Sequence, residues 1–366
     1  MMTILRVLLG VVVLSVIVII HELGHYLVAR RNGVEVEEFG LGFPPKVWGK
    51  KLGRGIMECY YTINLLPLGG FVRLKGETTE DDTPGSFGAA SLWVKSKITY
   101  AGVVMNLLLA FVILSIVAAI RMPVVFDNQF MVASDTTYVT DRIDINFVAE
   151  DSVADELGLL PGDQLQAVDG QSVTTIDDVN QLLEQRLGEV ATFTVYDIDN
   201  EEVVDYDAQL PEQTEPDEGI LGVGLQRYQE FKATWSAPIV GVASTLQFSW
   251  ETLVLLGDMV SNVFQGEFEA ASAGVAGPVG IFYIFSQASS ASMILLLAGI
   301  ISLSLAVMNF LPIPALDGGR MAVTYLYAIT GRELTAKKEE AIHGTGMALL
   351  LVLIALITFV DIQRFF

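Results

Sequence analysis

Residues 11–31 read VVVLSVIVIIHELGHYLVARR. A run of this apolar density suits a bilayer core, which takes about 20 helical residues at ~1.5 Å rise each. Yet His21, Glu22 and His25 sit near its arginine-rich end. An ionisable group at mid-bilayer depth costs about 2.5–3.5 kcal/mol, so three together need a purpose. On a helix, positions i and i+4 share a face, and both imidazoles can reach one ion. Glu22 adjoins the first of them, placed to take a proton from a water held there. The bland alternative, a helix with two surface histidines, belongs in water rather than in hydrocarbon.

The apolar run extends over 7–29, and three more follow at 98–120, 293–311 and 343–360. With 52% hydrophobic and 17% charged residues, the chain has the balance of a membrane protein. The first run is too long for a signal-peptide core and lacks a small-residue cleavage site. The net charge of −22 is uneven. Residues 29–98 hold ten of the 21 Lys and Arg, whereas 121–290 hold five basic and twenty-nine acidic residues. Basic loops stay cytoplasmic, so 30–97 and 320–342 are expected in the cytoplasm, and 121–290 and both termini outside. Segment 237–264 contains Glu251 and Asp258. As a crossing it would turn the basic segment 320–342 outward, so it is expected to lie on the outer surface as one or two amphipathic helices. The acidic ectodomain argues against nucleic-acid binding, which wants a basic patch. Cys59, the only cysteine, rules out an intrachain disulfide and a cysteine-based metal site.

Residues 34–75 alternate between turn signals and read as a small β-sheet with hairpins. The apolar segment LPLGGFV within it dips towards the membrane and needs protein cover for its backbone. Residues 77–91 form a polar loop. Residues 128–227 read as an α+β unit. Its expected strands are DINFVAE, QLQAVDG, ATFTVYDI and EVVDYDA, and its helix is TIDDVNQLLEQRL, with Thr175 and Asp178 as a capping pair. The expected fold is a polytopic α-helical membrane protein of four transmembrane helices, with a membrane-associated β-sheet and an extracytoplasmic α+β domain. Its parts are 1–127 (two spans and the β element), 128–227 (the α+β domain), 228–290 (the outer segment) and 291–366 (the last two spans).

A catalytic zinc site has three protein ligands and one open position. The chain has three histidines. The third, His343, reads as a solvated residue before the last span. The other candidate is Asp317 in MNFLPIPALDGGR, the first anion after the uncharged stretch 293–316. It falls at the same membrane level as His21 and His25, and Pro312 and Pro314 break the helix before it. An ordinary span-ending aspartate would suffice for the segment alone. Together with HELGH, Asp317 is the expected third ligand.

Here the chain resembles the site-2 protease family of intramembrane zinc metalloproteases, in its bacterial branch with a PDZ insert. The resemblance covers nearly the whole length. It rests on HELGH with Tyr26 and Ala29-Arg30, on GLGFPPKV, on LPLGGFVRLKGE, on SFGAASLWVKSKITYAGVVMN with Gly102 and Asn106, on GPVGI at 277–281 and on NFLPIPALDGG at 309–319. LGLLPGDQLQAVDGQSV (157–173) resembles the PDZ domains of bacterial proteases, whereas GLGF at 40–43, far from that unit, reads as coincidence. The chain departs from the family at Val103, where a proline is frequent, and has room for one PDZ domain where well-known relatives have two. The resemblance implies His21, His25 and Asp317 as ligands of Zn2+, Glu22 as general base, and Asn106 and Asn309 as residues that hold the substrate strand. Gly69 and Gly70, in the β element, would capture the substrate as an added strand. It also implies a bacterial inner-membrane endopeptidase acting on transmembrane proteins, with a site-1-type protease upstream. Envelope-stress signalling through an anti-sigma factor and removal of signal-peptide remnants are family roles. The rivals are a non-catalytic PDZ scaffold, which would have no need of Glu22, and a metal transporter, which would need more than one polar cluster along its spans.

Overall fold

The computed structural model describes residues 2–77, 82–126, 128–150, 152–198, 200–212, 219–273, 276–288 and 290–365. The chain divides into two compact units, one of Met1–Val117 with Ser236–Phe366 and one of Ala118–Trp235.

The first unit opens with α1 (Met2–Arg31). No proline interrupts it, and Arg30 and Arg31 in its last turn complement the helix dipole. Gly33, with φ +81°, ends it, and the Val34 amide bonds back to the Ala29 carbonyl. The expected sheet follows as β1 (Val36–Leu52) and β2 (Cys59–Leu74), two long bent strands. Residues 36–41 of β1 pair with 70–74 of β2 on one side and 60–63 on the other, and residues 46–52 of β1 pair with 59–64. The result is four short ribbons with residues 70–74 at one edge. Tyr26, Ala29, Val36, Cys59, Leu74 and Ile98 are buried together and seat this sheet on the second half of α1.

Helix α2 (Leu92–Thr99) is capped by Ser91, whose hydroxyl accepts from the Val94 amide, and α3 (Ala101–Ile120) follows after one residue. Val104, Leu108, Val112, Ile116 and Ile120, each 45–53% exposed, form one i,i+4 stripe on α3. Asn106, Ala110, Leu114 and Val117 on the other side are fully buried. A helix that is apolar all round and leaves such a stripe uncovered by protein suits hydrocarbon contact.

The second unit contains β3 (Met122–Pro123), β4 (Thr137–Val148), α4 (Val153–Glu156), β5 (Gln164–Val168), β6 (Gln171–Ser172), α5 (Ile176–Glu184), β7 (Val190–Asp197), β8 (Glu202–Gln209) and β9 (Val223–Lys232). The sheet order is β3-β9-β4-β5-β7-β8, with β6 on β5. Thr175 and Asp178 form a reciprocal capping box, and Val179 and Leu183 of α5 join Ile143, Leu165, Phe193 and Val195 in the core. The four strands and the helix read from the sequence are present. Strand β9 was not among them. Gln226, Arg227, Gln229 and Glu230 hide its alternation, and pairing with β4 brings Arg227 to Asp141 and Glu230 to Thr140. It lies between β3 and β4, and the compact unit Ala118–Trp235 contains all three.

The first unit resumes with α6 (Ala237–Gln265), α7 (Phe268–Ala273), α8 (Pro278–Gln287), α9 (Ala291–Phe310), α10 (Asp317–Thr330) and α11 (Ala336–Phe365). Helix α10 occupies a segment read as basic loop. Helix α6 is unbroken up to Gly266 in the left-handed region. Among the described residues five helical stretches are long and apolar enough to cross a membrane, α6 among them, against four expected. The ends of this unit make informative contacts. Arg6 donates to the Ser286 carbonyl, Arg364 to the Ser272 hydroxyl, and the Gly277 and Gly280 amides to Asp361. Gly241 of α6 lies against Ser115 near the far end of α3.

Candidate metal centre and active site

His21 and His25 lie one turn apart on α1, with Nε2 atoms 3.1 Å from each other. Asp317 arrives from 296 positions away. Helix α9 stops at Phe310, Pro312 and Pro314 prevent its continuation, and Ala315 takes φ +82° in the turn before α10. The Ala315 amide donates to His343 Nδ1 at 3.2 Å. The turn delivers Asp317 Oδ2 to 3.1 Å from His21 Nε2 and 3.3 Å from His25 Nε2. Zinc bonds of ~2.0–2.1 Å in a tetrahedron imply ligand–ligand edges of roughly 3.3 Å. The two imidazoles and the carboxylate therefore fit that ion by donor type and by spacing.

His25 Nδ1 lies 2.8 Å from the Ile98 carbonyl. A carbonyl only accepts, so Nδ1 carries the proton and Nε2 keeps its lone pair for a metal. Gly102 of α3 faces both rings: a Cβ there would sit 2.5 Å from His25 Nε2 and 2.6 Å from His21 Nε2. Only glycine lets α3 approach the site this closely.

Glu22, beside His21, lines the same cavity as Val72. Val72 lies in the edge ribbon of the sheet, so the strand edge and the carboxylate share one space. A Cβ on Gly70 would come within 3.1 Å of the Gly40 carbonyl, 3.3 Å of Val18 Cγ1 and 3.4 Å of Glu22 Cγ. The edge approaches α1 here because it has no side chain.

All eight residues singled out by the sequence, His21, Glu22, His25, Gly69, Gly70, Asn106, Asn309 and Asp317, line one cavity of about 380 Å³. Asn106 is fully buried, and neither atom of its carboxamide has a partner among the described residues. Leaving such groups unpaired costs roughly 1–3 kcal/mol, which a bound peptide backbone would offset. Asn309 is in the last turn of α9.

Three features escaped the sequence. The Ile98 carbonyl is a backbone group, and the segment 86–106 that contains it shows only its side chains in the sequence. Arg320 also lines the cavity, donates to the Glu77 carbonyl and lies over the Phe87 ring; its signal was only its place after LDGG. His343 is not solvated in a loop. It lies in α11, half-buried, with Nε2 enclosed and unpaired among the described residues, and it holds the turn that carries Asp317.

Comparison with known proteins gives the same direction. The profile of peptidase family M50 matches residues 9–353. A protein of Clostridium perfringens named as a zinc metalloprotease is 31% identical, over 95% of this chain and 96% of its own. The regulator of sigma-W protease RasP of Bacillus subtilis is 26% identical, over 97% of this chain and 98% of its own. A solved PDZ domain from the SdrC-like protein of Listeria monocytogenes, 16% identical with a TM-score of 0.21, covers 24% of this chain and 92% of its own. With a family match over nearly its full length and a group of side chains able to hold a metal around one cavity, the chain belongs to peptidase family M50, the site-2 protease family of metalloproteases.

Proposed function

We propose that the protein is an intramembrane zinc endopeptidase that cuts transmembrane segments of membrane-anchored proteins. One observation carries this reading: His21 and His25 of an apolar helix meet Asp317 from the turn after another, in a cavity that also holds Glu22 and an open strand edge. Zinc at the three ligands supplies Lewis-acid chemistry for peptide hydrolysis. Glu22 accepts the proton of the attacking water and returns it to the leaving amine. A helical substrate has its carbonyls engaged and must unwind first. Residues 69–72 offer backbone groups to an extended peptide as an added strand, and the unpaired carboxamide of Asn106 and that of Asn309 take up further backbone groups. A membrane-anchored anti-sigma factor or a signal-peptide remnant has the required form, and a site-1-type protease acts before this one. The name of the Bacillus subtilis relative favours the former.

Four helical stretches cross the membrane: α1, α2–α3, α9 and α11. Helix α6 is long enough, but its contacts argue for a surface position. Upright, the 24 residues from Gly241 to Gln265 would descend about 36 Å. Seven residues later Ser272 is bonded to Arg364 at the end of α11, while seven extended residues reach only about 24 Å. The charge asymmetry places that end, both termini and the acidic unit outside the bacterial inner membrane. The acidic unit, read as PDZ-like, admits substrates whose ectodomain has been trimmed.

The test is Glu22→Gln in purified full-length protein. The variant keeps its zinc and loses cleavage of a transmembrane substrate by roughly 10²–10⁴-fold, the usual worth of a general acid–base group. Full turnover, or loss of metal with the glutamate, would refute the assignment.

A further inference from the structure

A second groove, about 420 Å³, lies between α1 and α2–α3 and shares no lining residue with the metal cavity. Gly24, Val28 and Arg31 form its wall on α1, at helical spacing along one face. Trp93, Lys97 and Tyr100 face them from α2 and its C-cap. The groove is graded along its length. Arg31, Lys97 and Trp93 stand at one end, and from Arg31 to Gly24 the wall turns apolar over about 10 Å. At the apolar end Gly24 lies against the Ala101 carbonyl and Met105.

The charges at the polar end are uncompensated. Lys97 donates to the neutral Asn32 carboxamide at 2.6 Å. Among the described residues neither Arg31 nor Lys97 has a carboxylate within 4.0 Å. Trp93 is 70% exposed. Exposed indole next to cations at the end of a span marks the headgroup layer, and a basic pocket between spans suits an anionic lipid headgroup. A peptide substrate would gain nothing here, because no reactive group faces the groove.

We propose that this groove is a binding site for one anionic phospholipid, its phosphate on Arg31 and Lys97, its glycerol beside Trp93 and one acyl chain along Val28 and Gly24. The inference rests on the membrane placement of α1 and α2–α3 and not on proteolysis, so a protease that is active yet indifferent to lipid charge would sink it alone.

The experiment measures tryptophan quenching by brominated lipids in vesicles containing full-length protein. The contribution of Trp93 is isolated by difference from Trp93→Phe. Brominated phosphatidylglycerol is expected to associate more strongly than brominated phosphatidylcholine, by about fivefold per cation at low salt, with the preference falling as salt rises. Arg31→Gln with Lys97→Gln brings the ratio to one; Arg31→Lys, which keeps the charge, preserves it. Equal quenching in the unaltered protein overturns the proposal, and that comparison stands even if the double variant fails to fold. So does a preference that survives in a folded double variant, or quenching relieved by a transmembrane substrate peptide in place of lipid.

Discussion

At the scale of single residues, the site depends as much on absent atoms as on ligands. Gly102→Ala places a methyl group against both imidazoles, with His25 Nε2 2.5 Å away. Metal affinity should fall roughly 10–100-fold, as when groups that orient ligands are disturbed, and metal analysis after dialysis against a graded chelator measures it. Unchanged affinity would mean that α3 moves freely at this point. His343 gives a graded counterpart. It holds the Ala315 amide and contributes to the turn before Asp317, so His343→Ala should weaken metal binding by roughly tenfold. Asp317→Ala removes a ligand and should weaken it far more. The reverse order would make His343 the ligand.

Among the elements, the edge ribbon of the sheet matters most for cleavage. Residues 70–74 pair with 36–41 on one side only, and Gly70 and Val72 line the cavity beside Glu22. Gly70→Val introduces a branched side chain against Val18, Glu22 and the Gly40 carbonyl. Cleavage should drop by at least about tenfold, since misplacement of ~1 Å near the reacting groups costs up to 10²-fold, while bound zinc stays constant. Loss of both together would show that the sheet supports the metal site itself. The fold is also legible in part at this scale. The four most apolar helices read from the sequence and α5 were evident because apolar runs, helical periodicity and the Thr175–Asp178 cap are local signals. Strand β9 was hidden because adjacent polar residues break its alternation, and Arg227 finds its partner Asp141 only across the sheet.

For the whole molecule, the membrane arrangement has a direct test in reporter fusions. A reporter after Lys75 or Arg332 should read cytoplasmic, and one after Gly266 should read outside. A cytoplasmic reading at Gly266 would make α6 a fifth crossing. The proposed exclusion role of the acidic unit requires a cut that respects its strands. Residues 122–232 should be exchanged for a flexible linker, because an end at 227 divides β9. The variant should still cleave a trimmed substrate and newly accept one with an intact ectodomain. If it folds, retains zinc and cuts only the short substrate, exclusion is not the work of this unit.

The sequence alone pointed to the chemistry. Histidines and carboxylates are so costly in apolar segments that HELGH and LDGG stand out without any structure, and His21, Glu22, His25 and Asp317 could be named from type, spacing and membrane level. It also marked the most apolar helices and the capped helix α5, since hydropathy and capping are sums over neighbouring residues, but it missed α10. Tertiary structure decided what those residues meet. Asp317 reaches His21 over 296 positions, Gly102 admits α3 to the imidazoles, the Ile98 carbonyl selects the His25 tautomer, and His343 braces a turn instead of facing solvent. Each of these is a contact between distant segments, set by how helices and strands pack, and such contacts leave no periodicity in the segments they join.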